Sequence, residues 1–269
     1  MIVSNTISDQ EFTLFQRFIH QAAGIHLSPA KKTLIAGRLN KRVQQRGLSS
    51  YAEYFKLISS DDAQLERQVA VDLLTTNETY FFREAKHFEV LRGHAKAAAG
   101  RSEPFRVWSA ASSSGEEAYS IAMVLADCLE ERPWEIVGSD ISLRVLERAR
   151  TGHYVDSRTT HIPPAYLKRF CLKGTGAQAG TVLVTKALRE RVSFTQVNLN
   201  EPLPQLGKFD VIFLRNVMIY FNNETKREVV ARLLERLKPG GYFLIGHSES
   251  LNDISSAVQQ VAPSTYRKG

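Results

Sequence analysis

With 269 residues, 43% of them hydrophobic, the chain has material for one large domain or two modest ones around a real core. Cys128 and Cys171 stand far apart without CxxC or Cys/His metal spacing, so reduced thiols and no metal site are expected; Met1-Ile2-Val3-Ser4-Asn5 lacks a leader pattern and no stretch is apolar enough to span a bilayer, which points to a cytosolic protein without membrane insertion. A net charge of +7 and a pI near 9.4 favour an acidic partner without choosing among nucleic acid, anionic lipid and an acidic protein surface.

Ser8-Asp9-Gln10-Glu11 is a capping box, and Phe12, Phe15, Ile19 and Ala22 follow at helical spacing until Gly24. Ser28-Pro29 opens a second helix and Gly47 closes it, with no acidic residue between them. Lys31, Arg38, Arg42 and Arg46 recur there at i, i+7, i+11 and i+15, along one stripe. Helical stretches over 51–58 and 63–74 complete an all-α N-terminal domain, 1–75. A linker over 76–85 leads to an α/β domain over 86–269. There, strands over 105–108, 135–140, 209–214 and 242–246 alternate with helices over 116–130, 143–150 and 224–237. That alternation predicts a parallel sheet covered on both faces. Residues 168–197, with Gly174, Gly176 and Gly180 ahead of β-branched runs, break it and read as an inserted antiparallel β subdomain.

Three features of the α/β domain converge on a nucleotide-type cofactor. Ala110-Ala-Ser-Ser-Ser-Gly115 is small enough for a ligand to approach the backbone, and the helix it opens offers free N–H donors. Asp140 ends the next strand, where a carboxylate accepts both hydroxyls of an adenosine ribose; alternatively, it caps the helix after Ser142. Arg215-Asn216 ends a third strand at the same sheet edge. Glu116-Glu117 sit where a dinucleotide would bring phosphate, but they suit a cationic sulfonium that carries an amino group.

Thr76-Asn-Glu-Thr-Tyr-Phe-Phe-Arg-Glu84, Trp108-Ser-Ala-Ala-Ser-Ser-Ser-Gly-Glu-Glu117, Gly138-Ser-Asp140, Val197-Asn-Leu199, Leu214-Arg-Asn-Val-Met-Ile-Tyr-Phe221 and Gly246-His-Ser-Glu249 follow one another in the order found in a known family. They resemble the chemotaxis-receptor glutamate methyltransferases (CheR type). The resemblance implies a Rossmann-like domain that uses S-adenosyl-L-methionine, releases S-adenosyl-L-homocysteine and esterifies glutamates in chemoreceptor cytoplasmic domains; the oligomeric state is open in the sequence, with a monomer expected. The resemblance also implies that Asn77, Thr79 and Arg83 line the cofactor pocket, Glu117 binds the methionine part and Asp140 the ribose. Asn198 and Leu199 then meet the adenine edge, while Arg215 and Asn216 form the loop beneath the cofactor. Arg83 and Tyr220 match positions near the transferred methyl and are the expected catalytic residues. The basic helix, through Arg38, Arg42 and Arg46, is expected to bind the acidic receptor helices. In some members the β insert also tethers a receptor C-terminal peptide, and here Lys173, Lys186, Arg189 and Arg191 supply charge for it.

A glutamate carboxylate is already ionised at neutral pH, so this chemistry requires no general base. Gly246-His-Ser248-Glu-Ser250 has the look of a hydrolase nucleophile elbow, but that triad needs a later His and none follows His247. A nucleic-acid methyltransferase fits the charge, yet the 209–214 strand ends in Arg-Asn-Val-Met, not in an Asn/Asp-Pro-Pro-aromatic motif, and no Pro-Cys nucleophile occurs. Nucleic acid is therefore not the expected partner. A non-enzymatic module that only senses the cofactor is the other alternative, separable by turnover of labelled cofactor.

Overall fold

The computed structural model describes residues 6–98 and 100–269, so the reading of residues 1–5 lies outside it. Side-chain caps start the first helix at Ser8 and the third at Ser50. In α1 (Asp9–Ala23), Ser8 Oγ accepts the Glu11 N–H and Glu11 Oε2 accepts the Ser8 N–H at 2.9 Å; Gly24, at φ 68°, ends the helix. Ser28-Pro29 starts a single 3-10 turn, from which α2 (Lys32–Gln45) continues. With α3 (Tyr51–Ile58) and α4 (Gln64–Leu74), these helices enclose Phe15, Ile19, Leu39 and Tyr54.

Past the linker, α5 (Lys86–Ala97) precedes β1 (Phe105–Ser109), α6 (Glu116–Leu129), β2 (Trp134–Asp140) and α7 (Leu143–Thr151). Next come β3 (His153–Val155), α8 (Pro164–Phe170), β4 (Cys171–Lys173), β5 (Thr181–Val184), the short α9 (Lys186–Arg189) and β6 (Val192–Gln196). The chain ends through β7 (Phe209–Leu214), α10 (Asn223–Glu235), β8 (Leu237–Ile245), β9 (Val258–Ala262) and β10 (Thr265–Lys268). A seven-stranded sheet runs β6-β2-β1-β7-β8-β10-β9; the first five strands are parallel, and β10 is antiparallel to both its neighbours. This is the expected Rossmann-like α/β architecture behind an all-α domain.

Every residue of β7 is buried, and its side chains divide between two cores. Val211 and Phe213 join the α5–α6 core, whereas Ile212 and Leu214 join one continuous with the N-terminal helices. Val229, Val230 and Leu233 of α10 belong to that second core too, so it runs from the sheet past α10 to the N-terminal helices. The insert is placed differently from the 168–197 expectation. A separate antiparallel sheet, ordered β3-β5-β4, begins at His153, while Val192–Gln196 is an edge strand of the main sheet, parallel to β2. Val192–Gln196 pairs with residues more than fifty positions earlier, a choice that no local spacing encodes.

Candidate active site

A cleft with about 830 Å³ of empty space opens where β1, β2 and β7 end, and the linker and the N-terminal domain complete its wall. Asn77, Thr79, Arg83, Glu117, Asp140, Asn198, Leu199, Arg215, Asn216 and Tyr220 all line it. Four non-glycine residues in or beside this wall hold positive φ: Phe82 (55°), Glu84 (57°), Ser113 (48°) and Asn216 (59°). Such backbone persists where surrounding contacts over-determine it, and it clusters at functional sites. At Ser113 the determinants are visible. Its N–H donates to Asp140 Oδ2 at 3.0 Å, and its hydroxyl donates to the Asn77 carbonyl at 2.8 Å. Gly138 has to lack a side chain, because a Cβ there would lie 2.6 Å from the Phe194 ring.

Asp140 also accepts the Ser142 N–H, at 3.0 Å on Oδ1. It does not cap α7. Asp72, reaching from α4, does so, accepting the Leu143 N–H at 3.1 Å and the Arg144 N–H at 3.3 Å. The Asp140 carboxyl, buried at 7% exposure, is pushed up to about 6 by desolvation, against the N–H groups it accepts.

Arg215, with 2% of its side chain exposed, lies between two carboxylates: Nη1 is 2.9 Å from Glu117 Oε2 and Nη2 is 2.9 Å from Glu84 Oε2. Nη2 also donates to the Arg83 carbonyl. Its charge is thus balanced inside the protein. Arg83 differs: it donates to the Glu78 carbonyl and lies over the Tyr80 ring, and among the described residues no carboxylate pairs with it. The Tyr220 hydroxyl likewise makes no hydrogen bond among the described residues, although its carbonyl is fixed by the His26 N–H at 2.7 Å. Glu116, expected beside Glu117, is fully buried and paired with Arg158, so only Glu117 of the two faces the cleft.

The basic stripe divides in the structure. Arg38 donates to the Leu74 and Thr75 carbonyls and to Thr76 Oγ1, tying α2 to the linker. Arg42 Nη2 lies 2.6 Å from Glu66 Oε2, with Arg46 at 3.6 Å from the same oxygen. Arg38 and Arg42, both partly buried, are engaged by these acceptors; the exposed cations of this segment are Lys31, Lys41 and Arg46. Glu249 is a residue that the sequence did not single out. Its carboxylate accepts the N–H of Asn216 at 2.9 Å, of Gly246 at 2.7 Å and of Ile219 at 3.3 Å, pinning the turn that carries Tyr220. The only signal was its place in Gly246-His-Ser-Glu249.

The cleft wall holds two carboxylates, Glu117 and the buried Asp140, against Arg83 and Arg215, a set that suits a ligand carrying an amino group, a carboxylate and hydroxyls. Two family models match the chain: "CheR methyltransferase, all-alpha domain" over residues 10–75 and "CheR methyltransferase, SAM binding domain" over residues 77–267. The chain belongs to the CheR methyltransferase family. It is 42% identical to the chemotaxis protein methyltransferase of Escherichia coli (strain K12), over 92% of this chain and 87% of that one. It is 40% identical to chemotaxis protein methyltransferase 2 of Pseudomonas aeruginosa, over 96% and 92%. The protein is therefore an S-adenosylmethionine-dependent methyltransferase.

Proposed function

We propose that this CheR-family enzyme esterifies glutamate side chains in the cytoplasmic domain of a chemoreceptor, working as a cytoplasmic monomer. One observation carries the reading: Arg83 puts an arginine without a carboxylate partner among the described residues on the wall of a cleft whose buried arginine, Arg215, is already neutralised. A target carboxylate needs such a cation. When bound, S-adenosyl-L-methionine supplies an electrophilic methyl group. The chain's residues hold and align. Asp140 accepts the ribose hydroxyls, Glu117 takes the amino end, Asn198 and Leu199 border the adenine, and Asn77, Thr79 and Asn216 close the wall. Arg83 orients the incoming carboxylate and Tyr220 donates to it. No proton has to be removed, so positioning and partial desolvation supply the rate, up to about 7–11 kcal/mol from proximity alone.

Arg215 acts in this scheme by fixing Glu117, not by touching substrate. Receptor docking falls to the exposed Lys31, Lys41 and Arg46, with Arg38 and Arg42 shaping the helix that presents them. The test is transfer of labelled methyl from S-adenosyl-L-methionine to receptor cytoplasmic fragments. The product should release methanol in mild alkali, as a glutamyl ester does. Label that is stable to alkali, or that partitions with nucleic acid, would refute the assignment.

A further inference from the structure

Glu84, His87 and His247 bring a carboxylate oxygen and two imidazole nitrogens within 4.8 Å of one another. His87 Nδ1 is 3.4 Å and His247 Nε2 is 3.8 Å from the same atom, Glu84 Oε2. A tetrahedral zinc ion with bonds of roughly 2.0–2.2 Å sets its donors about 3.3–3.6 Å apart, so the two imidazole nitrogens stand close to that spacing from Glu84 Oε2. A second observation is independent of that spacing. The His87 ring is 1% exposed, and neither of its nitrogens has a hydrogen-bond partner. Folded proteins rarely bury a polar ring in that condition. His87 comes from α5 and His247 from the loop after β8; the rings meet edge to face at 5.2 Å, and His247 is half exposed, which opens the cluster to water.

We propose that Glu84, His87 and His247 form a site for a d-block dication, zinc above all, and that its occupancy weakens cofactor binding. Two imidazoles with one carboxylate are a donor set for zinc and its neighbours, not for magnesium or calcium. Local charge permits it, because Glu84 and Glu117 against Arg215 leave one net negative charge. Glu84 Oε2 is also the oxygen that holds Arg215 Nη2 at 2.9 Å. A metal ion there competes with Arg215, which lines the cofactor cleft and fixes Glu117. Coupling between the two sites is then reciprocal. The coupling rests on the cleft being the cofactor site; the metal site does not.

The metal-free full chain is titrated with zinc against a chromophoric chelator, with no cofactor present, and the visible spectrum of its cobalt form is recorded. One equivalent should bind, with the strong visible bands of tetrahedral cobalt. His247→Ala keeps the backbone N–H that donates to Glu84. It should retain its melting temperature but bind zinc at least about 100-fold more weakly and lose the cobalt bands. Absence of a bound equivalent, or equal binding by His247→Ala, overturns the site. Calorimetry with S-adenosyl-L-homocysteine follows, with and without one equivalent of zinc. About tenfold weaker binding is expected for the native chain and no change for His247→Ala. Unchanged affinity overturns the coupling. Failure of the metal-free chain to bind S-adenosyl-L-homocysteine overturns the cofactor assignment instead, and the titration without cofactor still decides the metal site.

Discussion

At the end of β2, burial holds the Asp140 carboxyl near 6, well above the ordinary aspartate value, although the Ser113 and Ser142 N–H groups favour its ionised form. A proton-binding native state means that folding stability falls as the pH rises from the ordinary aspartate value towards 6. With Asp140 in the proposed ribose contact, ligand binding should run the other way, because the ionised carboxylate is the better acceptor for two hydroxyls. Affinity for S-adenosyl-L-homocysteine should therefore be full at pH 8 and decline below about pH 6, by up to about tenfold per pH unit. Asp140→Ala should abolish this dependence and lose roughly 1.5–3 kcal/mol for each hydrogen bond removed. Calorimetry at pH 8 and pH 5 reads both effects. Undiminished affinity in a folded Asp140→Ala variant would take this residue out of the ribose site.

The helix α2 separates two jobs that one basic stripe had merged. Arg42 and the Tyr54 hydroxyl, 3.0 Å from Glu66 Oε1, satisfy a buried carboxylate. The Arg42 hydrogen bonds outweigh desolvation and hold Glu66 below its ordinary pKa. This stabilisation is complete at neutral pH and is lost as the pH falls through the lowered value. Arg42→Ala should cost on the order of 3 kcal/mol by leaving Glu66 short of a partner, and cofactor affinity at temperatures where the variant is folded should be kept. Chemical denaturation measures the loss. Charge reversal at the exposed Lys31 and Lys41 should do the opposite: unchanged stability, but slower receptor methylation with a flatter salt dependence. Full methylation by that variant at low salt would show that α2 does not steer the receptor.

Across the molecule, contacts between the two domains bring the cleft together. Ile25 pairs with Phe221 across a β-bridge, the Ala22 carbonyl accepts from Asn198 at 2.7 Å, and Asp72 caps α7. The β3-β5-β4 sheet stands apart from the main sheet, with β3 and β4 as its outer strands and Leu172 and Val155 exposed. Outer strands of this kind accept an extended peptide by backbone pairing, and Lys173 is at hand for a terminal carboxylate. If a receptor's C-terminal peptide docks there, local substrate concentration rises towards the millimolar range. A receptor C-terminal peptide with aromatic and acidic residues should bind with micromolar affinity, and deleting it should slow methylation of the full receptor. Equal methylation with and without the C-terminus, together with no peptide binding, removes the tether.

Capping boxes, helical spacing, the strand–helix alternation and the small-residue loop at 110–115 are local signals, so the all-α domain, the Rossmann-like sheet and the strand-end positions of Asp140 and Arg215 were legible in the chain itself. What lay beyond it were partners distant in sequence. That Arg38 and Arg42 are engaged within the chain depends on Glu66 and on the carbonyls of Leu74 and Thr75, neither of which helical periodicity can see. That residues 192–196 join the main sheet depends on pairing with β2, and that α7 is capped by Asp72 depends on a helix seventy residues away. The same holds for His87 and His247: 160 residues separate them, and only the packing of α5 against the end of β8 sets their rings side by side. Periodicity reports which face of an element is buried; tertiary packing alone decides what each buried charge finds there.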